Sequence, residues 1–411
     1  MHKINSNALI GRLDTAIEWG LYASVFSMFI PGTTAVASIG LYLPLLAWCV
    51  KHALLSGREL GYLNQPVFKA LLVFSAMLMV SVLISPDVIR SLSTLRKDYG
   101  DLLILSVVSA DACRDTSRRQ RLFLALAYSG LLLAAADIGQ YLLEFRRLGA
   151  LSPDIMLHRE FANGIVFLLP FTLVWAESSN RKTAWIGWGV YGVQLILLAG
   201  TGARGAWVAA LIGMCVWALL RGTKRKLALA AGLGVIVCLI ALAVFPQNLT
   251  IGKWMQGFDT SHRTTGTWGP ALEMIQERPL LGYGLGKWVF HDEFNLHAPS
   301  RPNWSIPESL GPHSNYFEIA FAAGLLGLAS LLAFYGMLVR DLVRCVGNNG
   351  SRDRDHAFFV AVLCSFVSFY LVRGMVESVR WNSLGILVGL FMATAITASS
   401  SKARFLSGQE T

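Results

Sequence analysis

Apolar runs of roughly 17–25 residues, almost free of charge, recur along the whole chain. Short stretches that gather Lys, Arg, Gly and Pro separate them. A helix rising about 1.5 Å per residue needs that length to cross a hydrocarbon core of about 30 Å. The pattern predicts about twelve spans, at 15–31, 33–50, 67–85, 100–112, 121–143, 161–177, 183–200, 204–220, 227–245, 315–340, 357–373 and 382–399. The expected fold is an all-α polytopic membrane protein, with residues 1–411 forming a single transmembrane domain. The first run carries Glu18, and no basic n-region with a small-residue cleavage site precedes it. A retained span is therefore expected, not a cleaved signal peptide.

Composition agrees with the pattern. Of 411 residues, 54% are hydrophobic and 15% charged. The net charge of +10 follows the topology. With the N-terminus in the cytoplasm, 21 of the 35 Lys and Arg fall on the inner side, including the clusters Arg114/Arg118/Arg119/Arg121 and Arg221/Lys224/Arg225/Lys226. The positive-inside rule then places both termini in the cytoplasm. This charge does not imply nucleic acid, because no soluble module interleaves basic and aromatic residues. The six cysteines lie in the runs or at their inner ends, with no C-x-x-C pair, which argues against disulfides and a structural zinc site.

The main interruption is 246–314, rich in Trp, Pro, Gly and His, between the ninth and tenth runs and on the outer, periplasmic face in this topology. It is too short and broken for a domain of its own and is expected to carry short helices. One is predicted over Thr267–Arg278, with Trp268, Leu272 and Ile275 on one face. Such a helix either lies on the bilayer as a lid or packs on the tops of the spans. A second outer helix is predicted after Ser85-Pro86-Asp87, where Val88, Ile89, Leu92 and Leu95 alternate with Arg90, Arg96 and Lys97. Arg146, Arg147, Arg159 and Glu160 mark a third outer loop.

Candidate chemistry gathers at these outer boundaries. Arg204 sits between two apolar runs, in Thr201-Gly202-Ala203-Arg204-Gly205. A charge at membrane depth costs roughly 2.5–3.5 kcal/mol on insertion scales, so such a residue either serves a site or snorkels to headgroups. Gly202 and Gly205 let a ligand or another backbone come close. Arg263, in Ser261-His262-Arg263, is by itself an ordinary loop arginine. The string Arg278-Pro279-Leu280-Leu281-Gly282-Tyr283-Gly284-Leu285-Gly286 has the glycines of a phosphate cradle. It lacks the preceding strand and the Lys-Ser/Thr of a P-loop, and reads better as a tight turn that brings the loop back over the spans.

Gly311-Pro312-His313-Ser314-Asn315-Tyr316 runs straight into the next apolar helix. Asn315 and Glu318 have capping-box spacing, which predicts a helix start near Asn315. His313 then stands at the positive end of a helix dipole. That position disfavours the imidazolium and leaves a neutral ring able to act as a general base. A capping or interfacial histidine is the alternative, and His262, His291 and His297 are competing bases in the same loop. The last outer turn carries Arg373, Glu377 and Arg380 beside Trp381. Arg373 and Glu377, at i and i+4, either pair with each other or position an acceptor or an arginine. No Asp-x-Asp, H-E-x-x-H or G-x-S-x-G element points to metal or acyl-serine chemistry on this face.

Taken in order, these elements resemble the O-antigen ligase and polymerase superfamily. Thr201 to Gly205 looks like its T-G-S-R-G turn, with Ala203 in place of the serine. Arg263, Trp268, Ala271-Leu272 and Pro279-Leu280-Leu281-Gly282-Tyr283-Gly284 resemble its R…W…AL…PLxGxG loop. His313-Ser314-Asn315-Tyr316, followed by Gly324-Leu325-Leu326-Gly327-Leu328, resembles its H-[SN]-x-Y…GLxGL element. The ligase branch implies a GT-C-like glycosyltransferase of a Gram-negative inner membrane, with its active site facing the periplasm. It would move O-antigen polysaccharide from undecaprenyl diphosphate to a hydroxyl of lipid A-core oligosaccharide in lipopolysaccharide biosynthesis. By motif, His313 would be the base, while Arg204 and Arg263 would hold the diphosphate and stabilise its developing charge. The transfer would invert the anomeric centre without metal or other cofactor. Arg278, Tyr283, Ser314, Asn315, Tyr316, Arg373 and Glu377 are candidates for acceptor contacts or support. Inner-membrane lipids and O-antigen assembly proteins are expected partners. O-antigen polymerase and protein O-oligosaccharyltransferase are the alternatives within the superfamily. Outside it stands a lipid-linked glycan transporter, which should show two related halves with helices broken at mid-membrane; the sequence shows no such repeat.

Overall fold

The computed structural model describes residues 6–55, 60–148, 155–221, 262–306, 308–348 and 354–393, and among them the chain has helices and no strand. In order these are α1 (Ser6–Ser27), α2 (Thr34–Leu54), α3 (Pro66–Leu83), α4 (Val88–Thr94), α5 (Asp101–Ala112), α6 (Thr116–Leu148) and α7 (Ile155–Ala176). They continue with α8 (Arg181–Gly200), α9 (Arg204–Arg221), α10 (Trp268–Glu277), α11 (Lys287–His297), α12 (Asn315–Asn348) and α13 (Arg354–Ser365). α13 runs on through a π-helical stretch, Phe366–Arg373, and α14 (Asn382–Ala393) follows. The predicted run 227–245, and the long loop as far as 261, lie outside the described residues; each of the other eleven predicted runs contains a helix. Seven described helices are long and apolar enough to cross a membrane, while Glu160–Ala176 and Asn382–Ala393 are apolar but shorter. The chain is an all-α polytopic membrane protein, as its pattern predicts, and the count of twelve stays an expectation.

Between membrane helices there is little hydrophobic force, so close packing depends on small residues that let backbones approach. In the α1–α2 hairpin, a Cβ added at Gly40 would stand 2.5 Å from the Ser24 amide nitrogen. Where α14 meets α5, a Cβ at Gly385 would stand 2.7 Å from the Leu102 carbonyl. α3 packs on α12, and α7 touches α6, α8, α9 and α13.

Three expectations change. Arg146 and Arg147, expected in a loop, occupy the last turn of α6, where cations suit the negative end of the helix dipole. α10 buries Ala271, Met274 and Ile275, while Leu272 is 47% exposed. Its inward face is therefore not the predicted Trp268/Leu272/Ile275 face, and the helix packs on the spans. Its buried residues share one core with Tyr283, Phe290, Phe294 and Trp304 of the loop and with Ala320 and Phe321 of α12. Third, α12 is broken at Gly324, whose φ is +66°. α4 forms where predicted, with the Asp87 carboxylate capping it by accepting from the Arg90 amide at 2.9 Å and Ile89 exposed.

Candidate functional site

The break at Gly324 explains the glycine string. The Tyr283 amide donates to the Phe321 carbonyl at 2.9 Å, the Gly284 amide to Ala322 at 3.0 Å, and the Leu325 amide to Pro279 at 2.7 Å. A Cβ at Gly282 would stand 2.3 Å from the Phe321 oxygen, so only glycine admits this backbone-to-backbone contact. The string is thus a clasp between loop and span, and two of its amides are spent on α12. Tyr283 stacks on Phe321 with ring centroids 4.9 Å apart, and the Arg278 guanidinium lies 4.4 Å from the Tyr283 ring centroid. The Tyr283 hydroxyl donates to Glu277 at 2.9 Å, and His297 Nε2 and Arg301 reach the same carboxylate at 3.0 and 2.6 Å. Burial opposes ionisation of Glu277, but the Tyr283 hydroxyl, His297 and Arg301 outweigh it and hold the carboxyl below its usual range.

At the top of α12 the chain turns through Gly311 (φ +82°) and His313 (φ +46°). A non-glycine residue in the left-handed region is strained and persists only where the surroundings fix it. Here four consecutive side chains grip one segment of the chain. His313 Nδ1 lies 3.1 Å from Glu377 Oε1, and the Ser314 hydroxyl donates to the Gly374 carbonyl at 3.5 Å. Asn315 Oδ1 accepts from the Val379 amide at 2.9 Å. The Tyr316 hydroxyl donates to the Tyr370 and Leu371 carbonyls at 3.2 and 3.3 Å, within the π-helical stretch. The helix does start at Asn315, but the predicted capping box does not form. Asn315 reaches Val379, Glu318 bonds Ser378, and the Ser314 carbonyl accepts the Glu318 amide at 2.9 Å.

Glu377 serves two partners. Its Oε2 accepts from Arg373 at 3.4 Å while Oε1 faces His313. Arg373, whose side chain is only 3% exposed, also donates through Nε to Asn163 Oδ1 at 2.9 Å. The i,i+4 pair therefore forms, and Glu377 also faces His313, a partner that neither alternative named. The turn bearing Arg204 leans on the same arginine: a Cβ at Gly205 would meet Arg373 Nη1 at 3.0 Å and Val376 Cγ2 at 2.6 Å. Gly202 takes φ +63° to make that turn, and Arg204 opens α9 with its side chain exposed. Arg263 lies 4.8 Å from the Trp268 ring centroid, and Trp268 in turn contacts Phe317 of α12 at 5.6 Å.

The structure thus joins His313, Ser314, Asn315, Tyr316, Glu377, Arg373 and the Arg204 turn, and ties Arg263 to α12 four residues beyond His313. Arg278 and Tyr283 belong to the loop clasp. Among the competing histidines, His297 spends both ring nitrogens, on Glu277 and on the Glu293 carbonyl at 2.7 Å. His291 has its pKa lowered by burial and by Lys287. Sequence reasoning missed Asn163 and Ser378. Asn163 had one signal, an amide inside the apolar run that follows Glu160.

Held through Nδ1–H by a carboxylate, an imidazole presents Nε2 as a proton acceptor, in the orientation that its partner fixes. His313 is about one-third exposed and Glu377 12% exposed, so the ring meets solvent more than its anchor does.

Comparison with known proteins gives one consistent result. A family model described as O-antigen ligase matches residues 183–332. The chain is 32% identical over 340 residues to an O-antigen ligase of Salmonella typhimurium, covering 80% of this chain and 82% of that protein. It is 26% identical over 307 residues to an O-antigen ligase of Pseudomonas aeruginosa, covering 72% and 70% respectively.

Proposed function

This chain belongs to the O-antigen ligase family, and from that premise we propose that it is the glycosyltransferase that moves O-antigen polysaccharide from undecaprenyl diphosphate to lipid A-core oligosaccharide. The observation that carries the reading is the His313–Glu377–Arg373 arrangement beside the Arg204 turn. His313 Nε2 takes the proton from an acceptor hydroxyl while Glu377 keeps the ring in the matching tautomer. The acceptor oxygen attacks the anomeric carbon, and the bond from that carbon to the diphosphate oxygen breaks with inversion. The leaving diphosphate keeps the electron pair. Arg204 and Arg263 hold it and stabilise its growing charge, which is where fixed cations lower a barrier. Guanidinium groups supply the positive charge that a divalent metal would otherwise supply. On this reading the His313 end of the bundle faces the periplasm and the termini face the cytoplasm.

The test is transfer by the purified protein in a chelating buffer, with undecaprenyl-diphosphate-linked O-antigen and lipid A-core as substrates and products resolved on a gel. The expected result is a ladder carried by lipid A-core. Chains that lengthen on the carrier with lipid A-core untouched would make the enzyme a polymerase. Activity restored only by added divalent cation would overturn the arginine mechanism.

A further inference from the structure

Asn163 stands in the apolar run of α7, and its partner is the guanidinium of Arg373, 210 residues later. Arg373 is only 3% exposed, and its three guanidinium nitrogens have three separate neighbours. Nε donates to Asn163 Oδ1 at 2.9 Å, and Nη2 donates to Glu377 Oε2 at 3.4 Å. Nη1 lies against Gly205, where a Cβ would stand 3.0 Å from it. A guanidinium is rigid, planar and only donates, so the Asn163 atom that faces Nε is its oxygen. The nitrogens share one plane, and turning Nε towards a new acceptor also moves Nη2 off Glu377.

Asn163 is itself firmly placed. At the next residue α7 packs so closely that a Cβ on Gly164 would stand 2.6 Å from Phe29 Cβ and 2.7 Å from Leu133 Cδ2. Three residues before Asn163, on the same side of the helix, Glu160 accepts from Arg380 at 3.2 Å. α7 thus meets both ends of the segment Arg373–Arg380, and Glu377 lies between them. Arg380 and Glu160 are 54% and 45% exposed, so water screens their pairing, whereas Asn163 binds a buried guanidinium. Of the two contacts, the one to Asn163 is placed to hold the carboxylate.

Resting on the proposed reaction, in which His313 is the base, we infer that Asn163 is a positioning residue. By fixing Arg373 it keeps the Glu377 carboxylate on the imidazole, and it acts through those two side chains and not on the substrate.

The experiment uses the full chain in detergent. Asn163→Leu keeps the volume and removes the acceptor; Asn163→Ala removes it without adding apolar bulk; Asn163→Asp keeps an acceptor oxygen. The first two are expected to lower kcat about tenfold, within the ~10²-fold that a remote displacement of about 1 Å can cost, with KM for donor and acceptor unchanged. Asn163→Asp should recover most of that loss. In a Glu377→Gln background, Asn163→Leu should cost less than about twofold more, because the carboxylate it positions has already been replaced. A full kcat in Asn163→Leu and Asn163→Ala, or no recovery in Asn163→Asp, overturns the assignment. So does an undiminished loss in the Glu377→Gln background, which would place the effect at the Gly205 turn.

A second readout needs no substrate. With isotope-labelled histidine, and His313→Ala to assign it, the Nδ1–H signal of His313 should broaden through exchange with water in Asn163→Leu and keep its width in Asn163→Asp. If it does so while the unaltered chain transfers nothing, Asn163 positions the ring and the proposed reaction falls. If the unaltered chain transfers and neither kcat nor the signal changes in Asn163→Leu, the reaction stands and the positioning role falls.

Discussion

The two ends of the helix bundle differ in how much of their charge they leave open to solvent. At the end where α2 finishes, Lys51 lies 2.8 Å from Asp14 and 2.7 Å from Asp111, Arg118 lies 3.1 Å from Asp14, and Arg221 lies 2.9 Å from Glu177. Lys51 and Asp111 are almost wholly buried. At the other end Arg373 and Glu377 are paired and largely buried too, but His313 beside them is about one-third exposed and Arg204 is exposed. Buried charge tied in pairs closes a bundle, because removing one partner leaves an ion that the interior cannot solvate. Charge held in place but open to solvent is available to a substrate. The first end ties helices together; on the proposed reaction, the second also presents groups to a substrate.

Substitutions at each end test this contrast, and the largest effects should separate it most sharply. His313→Ala should lower turnover by about 10²–10⁴-fold with no change in melting temperature, since the loss is one proton-transfer group. Lys51→Ala should do the reverse, costing about 3–5 kcal/mol of stability while the folded fraction keeps its turnover. Parallel thermal melts and transfer assays decide it; a His313→Ala protein that unfolds, or a folded Lys51→Ala protein that is inactive, breaks the contrast.

Glu377→Gln should have a smaller effect, on the order of a hundredfold in kcat with KM for donor and acceptor unchanged, because it disturbs the imidazole without touching substrate. Partial recovery in Glu377→Asp would mark it as a positioning residue. A KM effect equal to the kcat effect would instead mean that the carboxylate contacts substrate.

The smallest effect concerns the loop. The Glu277 carboxyl is held below its unfolded value of about 4.3. Its contribution to the clasp is complete above that pH and is lost as pH falls through the folded value. Hydrogen exchange of α10, corrected for intrinsic rate, should therefore quicken on acidification, and Glu277→Gln should remove that dependence. The same acid response in the variant would place its cause elsewhere.

Much of this was legible in the sequence because helices write their period locally. The described apolar runs, the helix start at Asn315 and the outer α4 all follow from windows of a few residues. What was not legible depends on distant partners. Asn315 and Glu318 have the spacing of a cap, yet they bond a segment 60 or more residues away, and no local window contains Val379 or Ser378. Arg373 reads as a loop charge because its partner Asn163 is 210 residues earlier. Gly324 sits within an apolar pattern that predicts an unbroken helix, and only the returning loop at Leu280 gives the break its use. The inward face of α10 was misjudged for a similar reason. Trp268 is engaged by Arg263 and Phe317 at the helix start, so Ala271, Met274 and Ile275 set the packing.

The four-residue grip on 370–379 also sets an order of events during synthesis. His313 leaves the ribosome 64 residues before Glu377. Arg380, which ties the same turn to α1, is made 352 residues after its partner Met28. A nascent chain ending between Ser314 and Val376 would carry His313, Arg204 and Arg263, yet would lack the carboxylate that lies beside the imidazole. Only insertion of α13 and the turn after it brings that carboxylate to His313. On the proposed reaction, an unfinished enzyme is thereby kept from spilling lipid-linked glycan into water.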